Sequence, residues 1–557
     1  MNYNKEGRMK MEQMFQNKEI FRIMYLFPQE IGKGPNAIYT YFLRISNYLN
    51  SRKNELRGEI DEIYTDLRFE ELPPFNFQKL SIYLTELKLL LDKIYIDFPF
   101  NLVAISCYSS YEYLNSLVVA NLIKSHINPK VKIVVGGYHP SIFPEGFQSD
   151  KIPSFFYDHF PKYKALFNFL IKGEGEIAFF KLIKQLLNDE LKDGNRENKD
   201  YNIVEGETFP SLDDLPLIDL SLLKRYKEKL KGRRLNIDFG RGCMFRCKIC
   251  IPSTGKELPF HKNVRFKSID KCIEELRIIR DTKWLEISSI FISDPIFFPK
   301  RSIRNEFYEK FRSFITDEGK YPFTIGAYDR VDICSKEDLL HYKELNIHPQ
   351  IGFESASIPM LKILNKINSK NEGDIKKYIK KLEDLIIFSN EINMNIRMFL
   401  IIGLPGETEK VIEDNQDFFL KKKFNGKSLS EINNIILDIR YYKAFPGATL
   451  YNTCETEYGG KIHYKEWWKL PLADHRVYNK IVDPSRELSF LDSLKLNYRW
   501  VKEFIRYQIN NKTPFYNKGD FKILREGYFK FTHIYKNRDA DYYSFIPEFW
   551  KQGFIYP

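Results

Sequence analysis

Three cysteines, Cys243, Cys247 and Cys250, stand within eight residues in the segment Gly-Arg-Gly-Cys-Met-Phe-Arg-Cys-Lys-Ile-Cys, spaced C-x3-C-x2-C. Iron–sulfur clusters are usually held by four cysteines. A cluster held by three therefore keeps one iron open to a small molecule. The other chemistry these donors allow is a structural zinc site completed by a histidine. His261, eleven residues past Cys250, is the nearby candidate. Zinc sites more often show two C-x2-C pairs, and only one is present here. Cys107, Cys272, Cys334 and Cys454 are scattered along the chain and read as ordinary core or surface thiols.

The triplet follows a short apolar run, Leu235 to Phe239, that reads as a strand. Glycines on both sides of Arg241 suit a close-packed loop. Ahead of it, residues 20–187 alternate two kinds of segment. Strands are expected at Ile20 to Phe27, Ile60 to Tyr64, Asn101 to Ser106 and Val131 to Val135. Helical spacing covers Ala37 to Leu49, Phe77 to Tyr95 and Tyr113 to His126. This alternation predicts an α/β, doubly wound (Rossmann-like) parallel sheet. Ligands on such sheets sit at the carboxyl ends of the strands. Three such ends stand out: Tyr108-Ser109-Ser110, Gly136-Gly137 with His139 close behind, and Gly173-Glu174.

The chain divides into a polar tail at 1–19, this first domain at 20–187 and a linker at 188–231. Residues 188–207 are charged and read as a surface excursion. Pro210 to Pro216 reads as an extended connector. A second strand/helix alternation runs over 232–455, and an aromatic-rich, mainly helical region fills 456–557, with a helix expected at Leu488 to Ile509. Its tryptophans, Trp467, Trp468, Trp500 and Trp550, are either plain core or a cover for a peptide or hydrophobic ligand.

Within the second alternation several further segments stand out in order along the chain. They are Ile290 to Pro295, with Asp294 at a strand mouth; Phe323 to Arg330, ending in a charged pair; Ile351 to Ser357, with Glu354-Ser355; and Phe399 to Thr408, reading Phe-Leu-Ile-Ile-Gly-Leu-Pro-Gly-Glu-Thr. Tyr441 to Tyr451 resembles a last strand with a Pro-Gly exit. With the cysteine triplet after a strand, these segments resemble the radical S-adenosylmethionine (SAM) superfamily. The resemblance implies a partial (β/α)6 TIM-barrel core and a 4Fe–4S cluster on Cys243, Cys247 and Cys250. The open iron would bind the amino and carboxylate groups of SAM, and electron transfer would cleave SAM to a 5′-deoxyadenosyl radical. It also implies an electron donor such as flavodoxin or ferredoxin. SAM presents an ammonium, ribose hydroxyls and an adenine. The residues suited to them are Asp294, Glu354 and Ser355 for polar contacts, Ile249 for the adenine, and Gly403, Leu404 and Pro405 for backbone laid against the adenine plane.

The first domain resembles the cobalamin-binding domain found ahead of many radical SAM enzymes. Tyr108, Ser109, Ser110, Gly136, Gly137, His139, Gly173 and Glu174 match that pattern, as does the connector Leu212 to Pro216. The loop Phe27-Pro28-Gln29-Glu30-Ile31-Gly32 departs from the cobalamin domains that supply a cobalt-ligating histidine after the first strand, since it has none. His139 either contacts the corrin or caps the following turn.

A hydrophobic content of 43% supports globular cores. No apolar run reaches the 18 residues of a membrane span. Met1 to Lys18 lacks the apolar stretch of a signal peptide, and seven cysteines in 557 residues make no disulfide framework. A reducing, cytoplasmic location follows. The net charge of +12 is spread along the chain and the last hundred residues show no nucleic-acid motif, so a basic surface is expected rather than a nucleic-acid partner. The expected activity is cobalamin-dependent methyl transfer to an unactivated carbon, or a phosphinate phosphorus, of a natural-product or peptide substrate. The rivals are a radical SAM cyclase or ring-rearranging enzyme, a non-catalytic cobalamin sensor or carrier, and a transfer-RNA methylthiotransferase. The last would carry three more cysteines in the first domain, which has only Cys107.

Overall fold

The computed structural model describes residues 20–29, 37–188, 201–251, 264–316, 323–432, 434–471 and 478–510. The chain forms two compact units.

The described residues of the first unit fall within Met1–Pro35, Thr40–Phe209 and Asp214–Lys229. Its sheet contains β1 (Phe21–Phe27), β3 (Ile60–Asp66), β4 (Leu102–Ser106), β5 (Lys132–Gly136), β6 (Phe169–Lys172) and β7 (Asn202–Glu205), while β2 (Ala37–Tyr39) belongs to the second unit. The order is β3-β1-β4-β5-β6-β7 and every pairing is parallel. All five residues of β4 are buried, as expected of a parallel strand covered on both faces. The sheet is thus doubly wound, and its strand order reverses between β1 and β4, where such sheets open a crevice beyond the carboxyl ends. β7 falls in the stretch expected to be a surface excursion. Its alternation is too short and too polar to announce a strand, and pairing with β6 makes it one. Residues 189–200 of that stretch lie outside the described residues, as does the tail 1–19.

The second unit comprises residues within Asn36–Tyr39, Pro210–Asp213 and Leu230–Pro557. Its main sheet contains β8 (Arg234–Ile237), β11 (Ser289–Ile292), β12 (Thr324–Arg330), β13 (Ile347–Glu354), β14 (Ile396–Ile402) and β17 (Ile435–Tyr441). Short pairs β9/β10 (Gly240–Arg241, Arg265–Phe266), β15/β16 (Lys423–Phe424, Lys427–Ser428) and β18/β19 (Lys461–Ile462, Val482–Asp483) decorate it. The order β17-β14-β13-β12-β11-β8-β2 is parallel throughout. Six strands follow one another in chain order, as in a partial (β/α)6 barrel, and the sheet stays open. β2 is a correction to the expected helix at Ala37 to Leu49: three residues form an edge strand on β8, and the helix begins only at Tyr41. A second correction concerns the last strand. It is Ile435–Tyr441, and Tyr441 to Tyr451 instead runs through the Pro-Gly turn into a helix at Thr449–Tyr458.

Trp467, Trp468 and Trp500 are buried, and Trp500 stacks on Phe419 with ring centroids 5.5 Å apart. These three are core, and Trp550 lies outside the described residues. The long C-terminal helix is Phe490–Asn510. No described helix is long and apolar enough to cross a membrane. Cys107, Cys272, Cys334 and Cys454 are buried, and burial pushes each thiol above its usual range.

Candidate active site

The cysteine loop begins beyond β8. Gly242 takes a left-handed φ of 85° to turn into it. Cys247 is buried, whereas Cys243 and Cys250 are half-exposed. The Cys250 N–H donates to the Cys247 carbonyl at 3.0 Å, closing a turn between the last two thiols. The loop is held by backbone from elsewhere: the Lys248 N–H donates to Leu364 O at 2.9 Å, and Leu450 N–H donates to Lys248 O at 3.0 Å. Asn365 Nδ2 donates to Arg246 O at 3.0 Å. Among the described residues no three histidine, cysteine, aspartate or glutamate side chains are arranged to hold a metal ion. The three thiols share one short loop. His261, the zinc alternative's fourth ligand, lies outside the described residues.

The buried third thiol faces a cation. Arg330, at the end of β12, donates from Nη1 to Cys247 Sγ at 3.2 Å and lies 3.5 Å above the Phe245 ring. Its other nitrogens donate to both carboxylate oxygens of Asp332 at 2.9 Å and to the carbonyl of Lys366. Its neighbour Asp329 turns the other way, into a buried pair with Arg304 at 3.1 Å. The charged pair at this strand end therefore splits, one charge to the core and one to the loop.

Glu354 ends β13 at a bulge, with a left-handed φ of 67°. Lys366 Nζ donates to Glu354 Oε1 at 2.8 Å, so an incoming ammonium at Glu354 would share the carboxylate with a buried lysine. Ser355 is buried and committed inside the protein: it donates to Asn415 Oδ1 at 3.1 Å and accepts from the Ser357 N–H at 3.1 Å. Asp294, after β11, is also buried, and Oδ1 accepts from the Phe239 N–H at 2.9 Å. Burial pushes its carboxyl up to about 7, against the backbone N–H groups of Gly240 and Phe239. Both side chains brace strand ends in this structure.

Ile249 and Leu404 are brought together. Leu404 belongs to a core cluster with Met360, Leu364 and Leu450, and Ile249 packs against it from the cysteine loop. Gly403 has φ 71°, and a side chain there would meet the Tyr441 ring at 2.9 Å; Pro405 follows in the same turn. The turn is tied down by Glu407, a residue the motif alone did not single out. Glu407 accepts from the Gly403 N–H at 2.9 Å, from Ser493 Oγ at 2.5 Å and from Asn497 Nδ2 at 3.0 Å. Burial pushes this carboxyl up to about 7, opposed by those hydrogen bonds. Ser493 and Asn497 lie on the C-terminal helix. That helix therefore anchors the glycine turn, which its aromatic composition gave no hint of.

In the first unit the carboxyl ends of β4, β5 and β6 carry the expected residues side by side. Ser109 caps a short 3-10 turn through a reciprocal box with Glu112. Tyr108 is half-exposed and stacks on Tyr41, centroids 4.9 Å apart, with Tyr138 edge-on at 5.2 Å. Gly137 has φ 122°, and a side chain there would lie 2.5 Å from the Cys107 carbonyl, so the backbone of the adjacent strand end requires this glycine. Gly136, by contrast, faces only Ile171 at 3.7 Å. The Gly173 N–H donates to Ser141 Oγ at 3.1 Å, and Glu174 precedes the helix Gly175–Leu187. His139 is buried, hydrogen-bonded through Nδ1 to Ser110 Oγ at 2.8 Å and walled by Tyr113, Phe143 and Phe147. After β1, Gln29 bridges Leu67 O and the Phe75 N–H; Glu30, Ile31 and Gly32 lie outside the described residues.

Residues 237–419 match the radical SAM superfamily. The chain thus carries a radical SAM domain, which implies a 4Fe–4S cluster and SAM. The donor set fits such a cluster: three thiols on one loop, two of them accessible and the third beside a guanidinium. The fold of the chain is similar to TsrM from Kitasatospora setae, a radical S-adenosylmethionine methyltransferase solved with cobalamin and a 4Fe–4S cluster. That match has TM-score 0.55 and 13% identity over 79% of this chain and 76% of that one. It is similar also to the cobalamin-dependent radical enzyme OxsB, with TM-score 0.52 and 15% identity over 96% of this chain and 72% of that one. Two curated relatives are anaerobic magnesium-protoporphyrin IX monomethyl ester cyclases. The one from Cereibacter sphaeroides is 24% identical, and the one from Synechocystis is 25% identical. Each alignment covers 44% of this chain, and 39% and 46% of the two relatives. The chain thus spans less than half the length of the curated relatives it matches.

Proposed function

We propose that the protein is a cobalamin-dependent radical SAM methyltransferase acting on an unactivated carbon, or a phosphinate phosphorus, of a natural-product or peptide substrate. The observation that carries this reading is the joining, in one chain, of two elements. One is a doubly wound sheet whose carboxyl edge is half-exposed and rich in glycine and tyrosine. The other is an open parallel sheet bearing a three-cysteine loop. Cobalamin supplies a methyl carrier when bound, and the cluster with SAM supplies a carbon radical. Cys243, Cys247 and Cys250 would hold the cluster. Ile249 and the Gly403-Leu404-Pro405 turn would lie against adenine, and Glu354 would accept from the ammonium or ribose in competition with Lys366. Tyr108, Ser109, Gly136 and Gly173 would border the corrin, a broad and largely uncharged ligand suited to a backbone-and-aromatic edge. A low-potential donor such as flavodoxin or ferredoxin would supply electrons, in a cytoplasmic setting.

A second reading, a cobalamin-using cyclase, is favoured by the two cyclase relatives. Anaerobic turnover with methyl-labelled SAM and cobalamin separates the two. A methyltransferase moves label to cobalamin and then to product, and releases S-adenosylhomocysteine. Turnover giving 5′-deoxyadenosine alone, with no product heavier by one methyl group, selects the cyclase. A sensor or carrier does neither.

A further inference from the structure

We propose that Arg330 is a positioning residue for the cluster: it fixes the Cys247 arm of the cysteine loop and raises the reduction potential of the iron–sulfur centre. The inference rests on the radical SAM reading and goes beyond it by assigning a role to a residue that is no ligand. Arg330 is buried, at 6% exposure, and each of its three guanidinium nitrogens donates. One nitrogen reaches Cys247 Sγ at 3.2 Å, two form a fork on Asp332 at 2.9 Å, and one of those also reaches the Lys366 carbonyl. Its face covers Phe245, two residues before Cys247. The planar fork explains why arginine is used here: a lysine has a point charge and cannot bind Asp332, a carbonyl and a thiolate in one plane. The same residue thus links the end of β12, the segment after the helix Ile358–Leu364 and the cysteine loop. Lys366, whose carbonyl it holds, also carries the ammonium on Glu354.

The electrostatic consequence follows from the geometry. Cluster potentials depend on net charge and on hydrogen bonds to the sulfurs. A fixed cation donating to one thiolate stabilises the reduced cluster, which carries the extra negative charge. Groups that orient metal ligands from outside also slow metal loss, typically at a cost of about 10- to 100-fold in affinity when removed.

The test uses the full chain, reconstituted anaerobically with iron and sulfide, without SAM or cobalamin. Iron and sulfide content, electron paramagnetic resonance and the midpoint potential are measured, with the rate of cluster bleaching by a chelator. Arg330→Gln should load a cluster whose midpoint lies at a more negative potential than wild type. Arg330→Lys, which keeps the charge and loses the fork, should stay nearer the wild-type potential and yet bleach faster, by about 10-fold or more. Asp332→Asn, which loosens the guanidinium without removing it, should also bleach faster, and with Arg330→Lys it carries the test if Arg330→Gln does not fold. A wild type that loads its cluster, with soluble variants that match it in both potential and chelator resistance, overturns the proposal alone. A wild type that takes up no iron and sulfide overturns the radical SAM reading and the proposal together.

Discussion

The carboxyl edge of the first sheet and the cysteine loop of the second unit are built in opposite ways. At the first, the contacts are hydroxyl caps, stacked tyrosines and glycines. Ser109 closes a turn on Glu112, Tyr108 lies on Tyr41, and Gly137 lets the Cys107 carbonyl approach. At the second, a web of buried charge fixes the backbone: Arg330 on Cys247 and Asp332, Lys366 on Glu354, and Glu407 on the Gly403 turn. An edge shaped by backbone, hydroxyl groups and aromatic rings suits a broad ligand that binds by area. A loop held by backbone hydrogen bonds and a buried guanidinium suits a small, highly charged group whose ligands must not drift. Breaking either should therefore leave the other standing.

The largest effect is expected at the thiols. Changing Cys243, Cys247 and Cys250 together to alanine should abolish iron–sulfur absorbance and all SAM cleavage, and leave cobalamin uptake, read by its visible spectrum, as in wild type. A full cluster in the triple variant would sink the assignment. Stoichiometric zinc with no iron in reconstituted wild type would give the site to the zinc reading.

The next effect is on stability and probes the charged web from the C-terminal side. Burial raises the Glu407 carboxyl to about 7, against an ordinary value of about 4.3. Between those values the folded protein keeps a proton that the unfolded chain has released. Stability therefore falls as pH rises through this window, and the penalty, on the order of 3 kcal/mol, is complete above the folded value. Glu407→Gln imitates the protonated form and should lose that part of the pH dependence. Urea unfolding at pH 5 and pH 8 measures it, and identical pH slopes in the two proteins would refute the argument. Leu404→Ala, in the cluster behind the same turn, should cost about 2–5 kcal/mol at either pH.

Much of this was legible in the sequence, and the parts that were not share a cause. The cysteine loop and the alternating strands are local patterns, so spacing and periodicity find them. β2 is three residues long and exists because β8, almost two hundred residues later, pairs with it. β7 is likewise a strand by virtue of its neighbour. Ser355 and Asp294 carry the right chemistry at the right strand ends, but their burial against Asn415 and Phe239 depends on partners that no local pattern names. Arg330 was visible as one half of a charged pair, and only the fold shows that its partner Asp329 looks inward while it faces the thiol.

The first sheet should respond more mildly. Ser109→Ala removes a capping box and should cost about 1 kcal/mol in unfolding free energy, with no change in cluster content. A loss of the cluster in that variant would mean that the two regions are not independent.

The smallest expected effect is none, and it concerns cobalt. If the first unit binds cobalamin, no histidine should reach the metal. The described part of the loop after β1 offers glutamine at position 29, already engaged by Leu67 and Phe75. His139 lies beyond β5, buried at 2% exposure. Its Nδ1 is bound to Ser110 and its ring is packed among Tyr113, Phe143 and Phe147. Ligation would require the ring to leave that aromatic wall and give up the Ser110 contact, and both losses oppose it. Cobalt(II) in the reduced protein should therefore show no nitrogen hyperfine splitting by electron paramagnetic resonance, and His139→Ala should give the same spectrum. A nitrogen triplet in wild type that vanishes in His139→Ala would show that this edge is rebuilt around its ligand. The contrast between a preformed backbone-and-aromatic edge and a charge-pinned loop would then fail on the first unit's side.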